Sequence, residues 1–132
     1  MVVADSDVLV DAFDKEREPM RSRVLELARA GELATTAITL YELTAGPRTT
    51  VAQLEVLHAA LGSVAVLPVT RGAADIAAGA NRHLARRGEA LAVPDALIAG
   101  VCIAQGLPLL TRNRKHFERV PGLEIVPVEE RD

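Results

Sequence analysis

Asp5, Glu42, Asp95 and Asn113 are the residues of this chain best suited to chemistry. Asp5 follows the short apolar run Val2-Val3-Ala4, and Glu42 lies in Thr39-Leu40-Tyr41-Glu42-Leu43, just past Leu33-Ala34-Thr35-Thr36. Asp95 opens Asp95-Ala96-Leu97-Ile98-Ala99-Gly100, and Asn113 ends Leu109-Leu110-Thr111-Arg112-Asn113. Each stands where a strand is expected to give way to a helix, and the carboxyl ends of parallel strands are where ligands gather in α/β sheets. Three carboxylates and a carboxamide form a hard-oxygen set suited to Mg²⁺ or Mn²⁺. Carboxylates drawn that close raise one another's pKa values unless a cation joins them. A divalent ion lowers the pKa of a water and neutralises a phosphoryl oxygen, so phosphodiester hydrolysis is the natural chemistry.

Taken singly, each residue also reads as an ordinary helix cap. Thr39-x-x-Glu42 has the form of a capping box. Asp95 follows Pro94 in a first helical turn, where the macrodipole favours a carboxylate. Asn113 and Asp5 are good N-caps for the segments after them. Caps need no particular strand neighbours, however, and all four follow candidate strands of one sheet.

The elements that must position them alternate along the chain. Val2 to Ala4, Leu33 to Thr36, Val64 to Leu67, Leu109 to Thr111 and Leu123 to Val126 read as strands. Between them helices are expected from Ser6 to Phe13, from Pro19 as a first helical residue to Gly31, and from Thr39 to Gly46-Pro47. Val51, Leu54, Leu57 and Leu61 mark a fourth helix, and Ala73, Ile76, Ala77, Ala80 and Leu84 a fifth, ended by Gly88. Pro94 to Gln105 is apolar nearly all round and hence buried. A short helical turn follows over Arg114 to Arg119. Alternation of this kind predicts an α/β fold, a three-layer α/β/α domain around a mainly parallel sheet of four to five strands.

At 132 residues the chain is read as one domain, 1–132, with length enough for a core. Hydrophobic residues make up 49%, which excludes a disordered tail, and aromatics only 2%, which excludes base-stacking platforms. The core must be built from Val, Leu, Ile and Ala, as in strands buried on both faces. The net charge of −3 does not suggest a nucleic-acid binder. The basic residues are nevertheless clustered, in Arg82, His83, Arg86 and Arg87 and in Arg112, Arg114, Lys115, His116 and Arg119. They are either solvated faces or a phosphate-tracking rim. The lone Cys102, in Val101-Cys102-Ile103, is expected to be a buried apolar residue. The acidic N-terminus is unlike a signal peptide, and the uncharged stretch from Ala96 to Thr111 is shorter than the roughly 20 residues of a membrane span. A cytoplasmic protein with no membrane partner is expected.

The stretches Val3-Ala4-Asp5-Ser6-Asp7-Val8-Leu9-Val10-Asp11, Thr36-Ala37-Ile38-Thr39-Leu40-Tyr41-Glu42-Leu43, Pro94-Asp95-Ala96-Leu97-Ile98-Ala99 and Leu110-Thr111-Arg112-Asn113-Arg114-Lys115-His116-Phe117 resemble those of PIN-domain nucleases. The nearest subgroup is the VapC-like toxins of type II toxin–antitoxin pairs, and the likeness runs from Val2 to about Val126. The resemblance implies an endoribonuclease toxin dependent on Mg²⁺ or Mn²⁺, cutting tRNA or rRNA by attack of a metal-activated water. Asp5, Glu42 and Asp95 match the acids of the site, and Asn113 matches a fourth position that is Asp or Asn. Asp5 and Asp95 would be the principal metal ligands, then Glu42, with Asn113 orienting a water. Ser6 and Thr111 would sit around the metal shell, and Arg112, Arg114, Arg82 and Arg86 would follow the RNA backbone. Asp7 departs from the Asn or Ser expected there and is left outside the set, and His116 is placed at the rim. Homodimerisation, with Leu54, Val56 and Leu57 as candidate interface residues, is implied too. So is a VapB-like antitoxin partner, with operator DNA reached only through it.

Other readings compete. A housekeeping PIN nuclease would share the site without the antitoxin. Asp5-Ser6-Asp7-Val8 also resembles the start of haloacid-dehalogenase-type phosphatases, but no Gly-Asp-x-x-x-Asp follows Lys115. A third reading keeps the fold for binding alone, against which the intact quartet stands.

Overall fold

The computed structural model describes residues 1–14, 16–47 and 49–127. Its centre is β1 (Val2–Ala4), a run of small and β-branched residues. β1 pairs in parallel with β2 (Leu33–Thr36), Val3 facing Ala34, and on its other edge with β4 (Leu109–Leu110), Val3 facing Leu109. β3 (Ala65–Leu67) lies outside β2, and β5 (Ile125–Val126) outside β4. The order is β3-β2-β1-β4-β5 and every pair is parallel. The expected sheet is thus present with five strands, the later ones shorter than predicted. The chain steps outward from β1 to β3, then returns to the far side of β1 for β4. The strand order therefore reverses at β1, and the carboxyl ends of β1 and β4 are the place where such sheets form a ligand crevice.

Helices cover both faces. On one, α1 (Ser6–Asp11) and α2 (Met20–Arg29) bury Val8, Leu9, Met20 and Val24 against Ala4, Leu33 and Leu110. On the other, Val3, Ala34 and Leu109 meet Ala77 and Leu84 of α5 (Arg71–Ala85) and Ile98, Ala99 and Cys102 of α6 (Val93–Gln105). Alternate strand residues thus serve two cores, as the pleat requires. Cys102 is fully buried, as expected, and burial pushes its thiol up to about 12.

α5 and α6 form a close antiparallel hairpin. Gly100 abuts Ala77 and the carbonyl oxygen of Ala73, which a Cβ at Gly100 would overlap. The Asn81 side chain accepts from the Leu91 N–H at 2.8 Å and donates to the Leu91 carbonyl at 3.0 Å. The C-terminal half of α5 is thereby returned to the end where α6 begins.

Several helix starts and stops differ from the sequence reading. α1 ends at Asp11, not Phe13, and Pro19 is the N-cap of α2 rather than its first residue. α3 (Ala37–Thr44) begins two residues before Thr39, because Thr36 is its cap. α4 (Val51–Ala60) has the expected helical span and a Thr50–Gln53 capping box, but none of its residues is buried. Its apolar residues instead flank a groove of about 600 Å³ lined by Leu9, Val10, Phe13, Leu43, Val56 and Leu57. Periodicity marked an apolar face there without saying what covers it. Among the described residues no helix is long and apolar enough to cross a membrane.

Candidate active site

The crevice at the reversal is built on Asp5, the residue after β1. Its N–H donates to the Leu110 carbonyl at 3.4 Å, holding it between β1 and β4. The carboxylate, 6% exposed, accepts the Val8 N–H through Oδ1 at 3.1 Å and the Thr111 hydroxyl through Oδ2. Asp5 is therefore both the N-cap of α1 and the floor of the crevice. Burial raises its pKa. The bonds from Thr111 and Val8 oppose that rise, the charge of Asp7 adds to it, and Arg112 opposes it.

The Thr111 hydroxyl also accepts the Asn113 N–H at 3.0 Å, so one buried side chain links two members of the quartet. Asn113 stands at the N-cap position of α7 (Arg114–Phe117), but its exposed side chain makes no capping bond. The carboxamide is not used up by the cap the sequence suggested.

Glu42 arrives by a different route from the one expected. Thr36, the last residue of β2, accepts the Thr39 N–H at 3.1 Å and starts α3 without an intervening loop. Glu42 then lies in the second turn, too far along to serve in a capping box. Although the residue is exposed, loss of water on its inward side raises its pKa, and Asp95, Asp5 and Asp7 raise it further. Asp95 is the third residue of α6, with its side chain 30% exposed. Burial raises its pKa, the His116 imidazole opposes that from 3.9 Å, and Asp7 adds to it. Glu42 thus feels both Asp5 and Asp95, although the three acids come from the end of β1, from α3 and from α6.

Asp7, left outside the set in the sequence, belongs to this acidic field. It is exposed in the first turn of α1, and its charge raises Asp5, Glu42 and Asp95 alike. The signal was its place two residues after Asp5 at a helix start. Ser6, the first residue of α1, is half-buried beside Asp5.

The basic residues divide. Arg82 and Arg86 are exposed near the end of α5, close to the Asn81–Leu91 tie that leads into α6. Arg114 pairs with Glu118 at 3.7 Å. Arg112 is drawn inward, its Nε 2.9 Å from Oδ2 of buried Asp11.

All the clustered donors are oxygens, a set that fits Mg²⁺ or Mn²⁺. Among the described residues no three His, Cys, Asp or Glu side chains close on a single point. Asp5, Asp95 and Glu42 are thus not gathered into a three-ligand cage. The oxygen set still suits Mg²⁺, which keeps several waters and takes one or two carboxylates directly.

The PIN domain model matches residues 2–123. The chain is 30% identical over 125 residues to the tRNA(fMet)-specific endonuclease VapC of Salmonella typhimurium, covering 92% of each chain. The solved DNA-bound VapBC from Salmonella typhimurium superposes with a TM-score of 0.81 at 27% identity, over 96% of this chain and 98% of that one. VapBC-5 from Mycobacterium tuberculosis, a member of the VapBC family of toxin–antitoxin systems, superposes at 0.69 with 26% identity, over 96% and 98%. The chain belongs to the PIN-domain family, among its VapC-like toxin nucleases.

Proposed function

We propose that this chain is a divalent-metal-dependent endoribonuclease, the toxin of a toxin–antitoxin pair, with tRNA or rRNA as its substrate class. The observation that carries the reading is the buried Asp5 carboxylate at the reversal of strand order, in a chain of the PIN-domain family. Loss of water raises the Glu42 pKa, and the charges of Asp95 and Asp5 raise it further. Asp5 and Asp95 are assigned as the principal holders of Mg²⁺ or Mn²⁺, with Glu42 and Asn113 completing the site. Bound there, the ion supplies positive charge against the phosphoryl oxygens and acidifies a water. Thr111 orients the Asp5 carboxylate, and Ser6 lies beside it. The Asn113 carboxamide both donates and accepts, which suits it to orienting a water. Exposed Arg82 and Arg86, with Arg114 at the other rim, supply charge for an RNA backbone that the acidic centre would otherwise repel.

The relatives support the toxin role. One is a tRNA(fMet)-specific endonuclease and another a DNA-bound VapBC assembly. A VapB-like antitoxin is accordingly assigned as partner, with operator DNA reached through it, and a homodimer as the toxin's own state. The uncovered apolar groove beside α4 provides surface of the kind protein partners use. Family membership sets the phosphatase reading aside. A housekeeping PIN nuclease is separated from the toxin by the neighbouring gene, since a short upstream frame encoding a DNA-binding protein marks the pair. Purified Asp5→Asn and Asp95→Asn should lose RNA cleavage in Mn²⁺. Cleavage by either at the parent's rate would remove the site assignment.

A further inference from the structure

Asp11 is a buried carboxylate, 2% exposed, at the end of α1, and the chemistry proposed above does not use it. A charge in such a place is costly unless paired. Its stronger partner is Arg112, whose Nε lies 2.9 Å from Oδ2. Arg17 reaches Oδ1 only at 3.9 Å and is itself 54% exposed. Among the described residues no donor is aligned on Oδ2 for a hydrogen bond, so the contact is an ion pair.

Arg112 sits between Thr111, which bonds Asp5, and Asn113, whose N–H bonds Thr111. Its charge is felt at Asp5 as well as at Asp11, and Asp7 acts on both of those acids. The guanidinium therefore pairs with a buried anchor while its charge already reaches Asp5, and without the anchor Asp5 is an acceptor within its influence. A guanidinium fork matches carboxylate oxygens well and would compete for those a cation needs.

We propose that Asp11 is a positioning residue that holds Arg112 at the foot of α1 and keeps it out of the Asp5–Glu42–Asp95 cluster, leaving that cluster open to a divalent cation. The proposal rests on the metal-nuclease reading and adds to it a device within the chain that guards the site.

Mn²⁺ titration followed by electron paramagnetic resonance tests it, with circular dichroism and thermal melts to check folding. Asp11→Asn, which keeps the shape and removes the charge, should weaken Mn²⁺ binding about 10-fold or more, as loss of a partner around a metal site does. Asp11→Asn/Arg112→Met should return binding to the parent's level or better, because no guanidinium remains to enter the cluster. A purely structural role predicts no such rescue. Unchanged Mn²⁺ affinity in Asp11→Asn, or a folded double variant as weak as the single, would overturn the proposal. Should Asp11→Asn not fold, the double variant decides alone, since replacing both members of a buried ion pair is often tolerated. Affinity at the parent's level supports the proposal, and about a 10-fold loss overturns it. A parent that binds no Mn²⁺ would remove the metal reading and this proposal together.

Discussion

Thr111→Val isolates the one side chain that joins Asp5 to Asn113. Threonine and valine are close in volume, and the position is 1% exposed, so the replacement removes the hydroxyl with little change in packing. The hydroxyl donates to Asp5 Oδ2 and accepts the Asn113 N–H. A hydrogen bond to a charged group contributes about 1.5–3 kcal/mol. At roughly 3–5 °C of melting temperature per kcal/mol for a domain of this size, the variant should melt about 5–15 °C lower at neutral pH. The bond favours ionised Asp5, so its contribution is present above the folded-state pKa of Asp5 and lost as pH falls through it. The melting gap between parent and variant should therefore narrow on acidification. Removing the donor also raises the pKa of Asp5 further, so the acid limb of the RNA-cleavage profile should move to higher pH. Thr111→Ser restores the hydroxyl and should recover most of both effects. Equal melting temperatures for parent and Thr111→Val at neutral pH, or a gap that does not change with pH, would refute the reasoning.

Two further outcomes follow from the site and the fold. Asp5, Glu42 and Asp95 all have raised folded-state pKa values, so they add stability when protonated and lose it as pH rises through those values. In chelator the protein should melt lower as pH climbs from the acid range to neutrality, and Mn²⁺ should offset the loss, with the metal-induced shift largest near neutral pH. A flat melting profile in chelator would contradict the raised pKa values of these acids. Gly100→Ala forces a Cβ onto the Ala73 carbonyl and should cost about 1–3 kcal/mol in urea unfolding, as overpacking does, whereas alanine at Gly62, where nothing lies within 4 Å, should cost far less.

Much of this was legible because strand and helix signals in the sequence are local. Apolar runs bounded by Gly and Pro located all five strands, and Pro94, Gln105 and Gly106 bounded α6 to within a residue. Asp5 could be read twice, as cap and as site residue; the structure shows the cap, in the bond from the Val8 N–H, and buries the carboxylate at the end of β1. Glu42 was harder. Thr36 and Thr39 are both competent caps, and only the extension of β2 directly into α3 selects the first. That choice removes the capping-box role and leaves the Glu42 carboxylate free of a cap, within reach of the charges of Asp95 and Asp5. The pairing of Arg112 with Asp11 was invisible, because it joins the end of one helix to a loop far along the chain. Asp7 was undervalued for a similar reason. Its influence on Glu42 and Asp95 depends on which strands are neighbours, and local spacing does not carry that information.

On the function proposed above, the acids around Asp5 cut RNA with a divalent ion. Sequencing of RNA 5′ ends after brief expression of the parent and of Asp5→Asn tests it most directly. The account predicts new 5′ ends at a small set of sites in tRNA or rRNA for the parent and none for the variant. The same sites should appear in vitro with Mn²⁺ and vanish in chelator. Identical 5′ ends from parent and Asp5→Asn would contradict it.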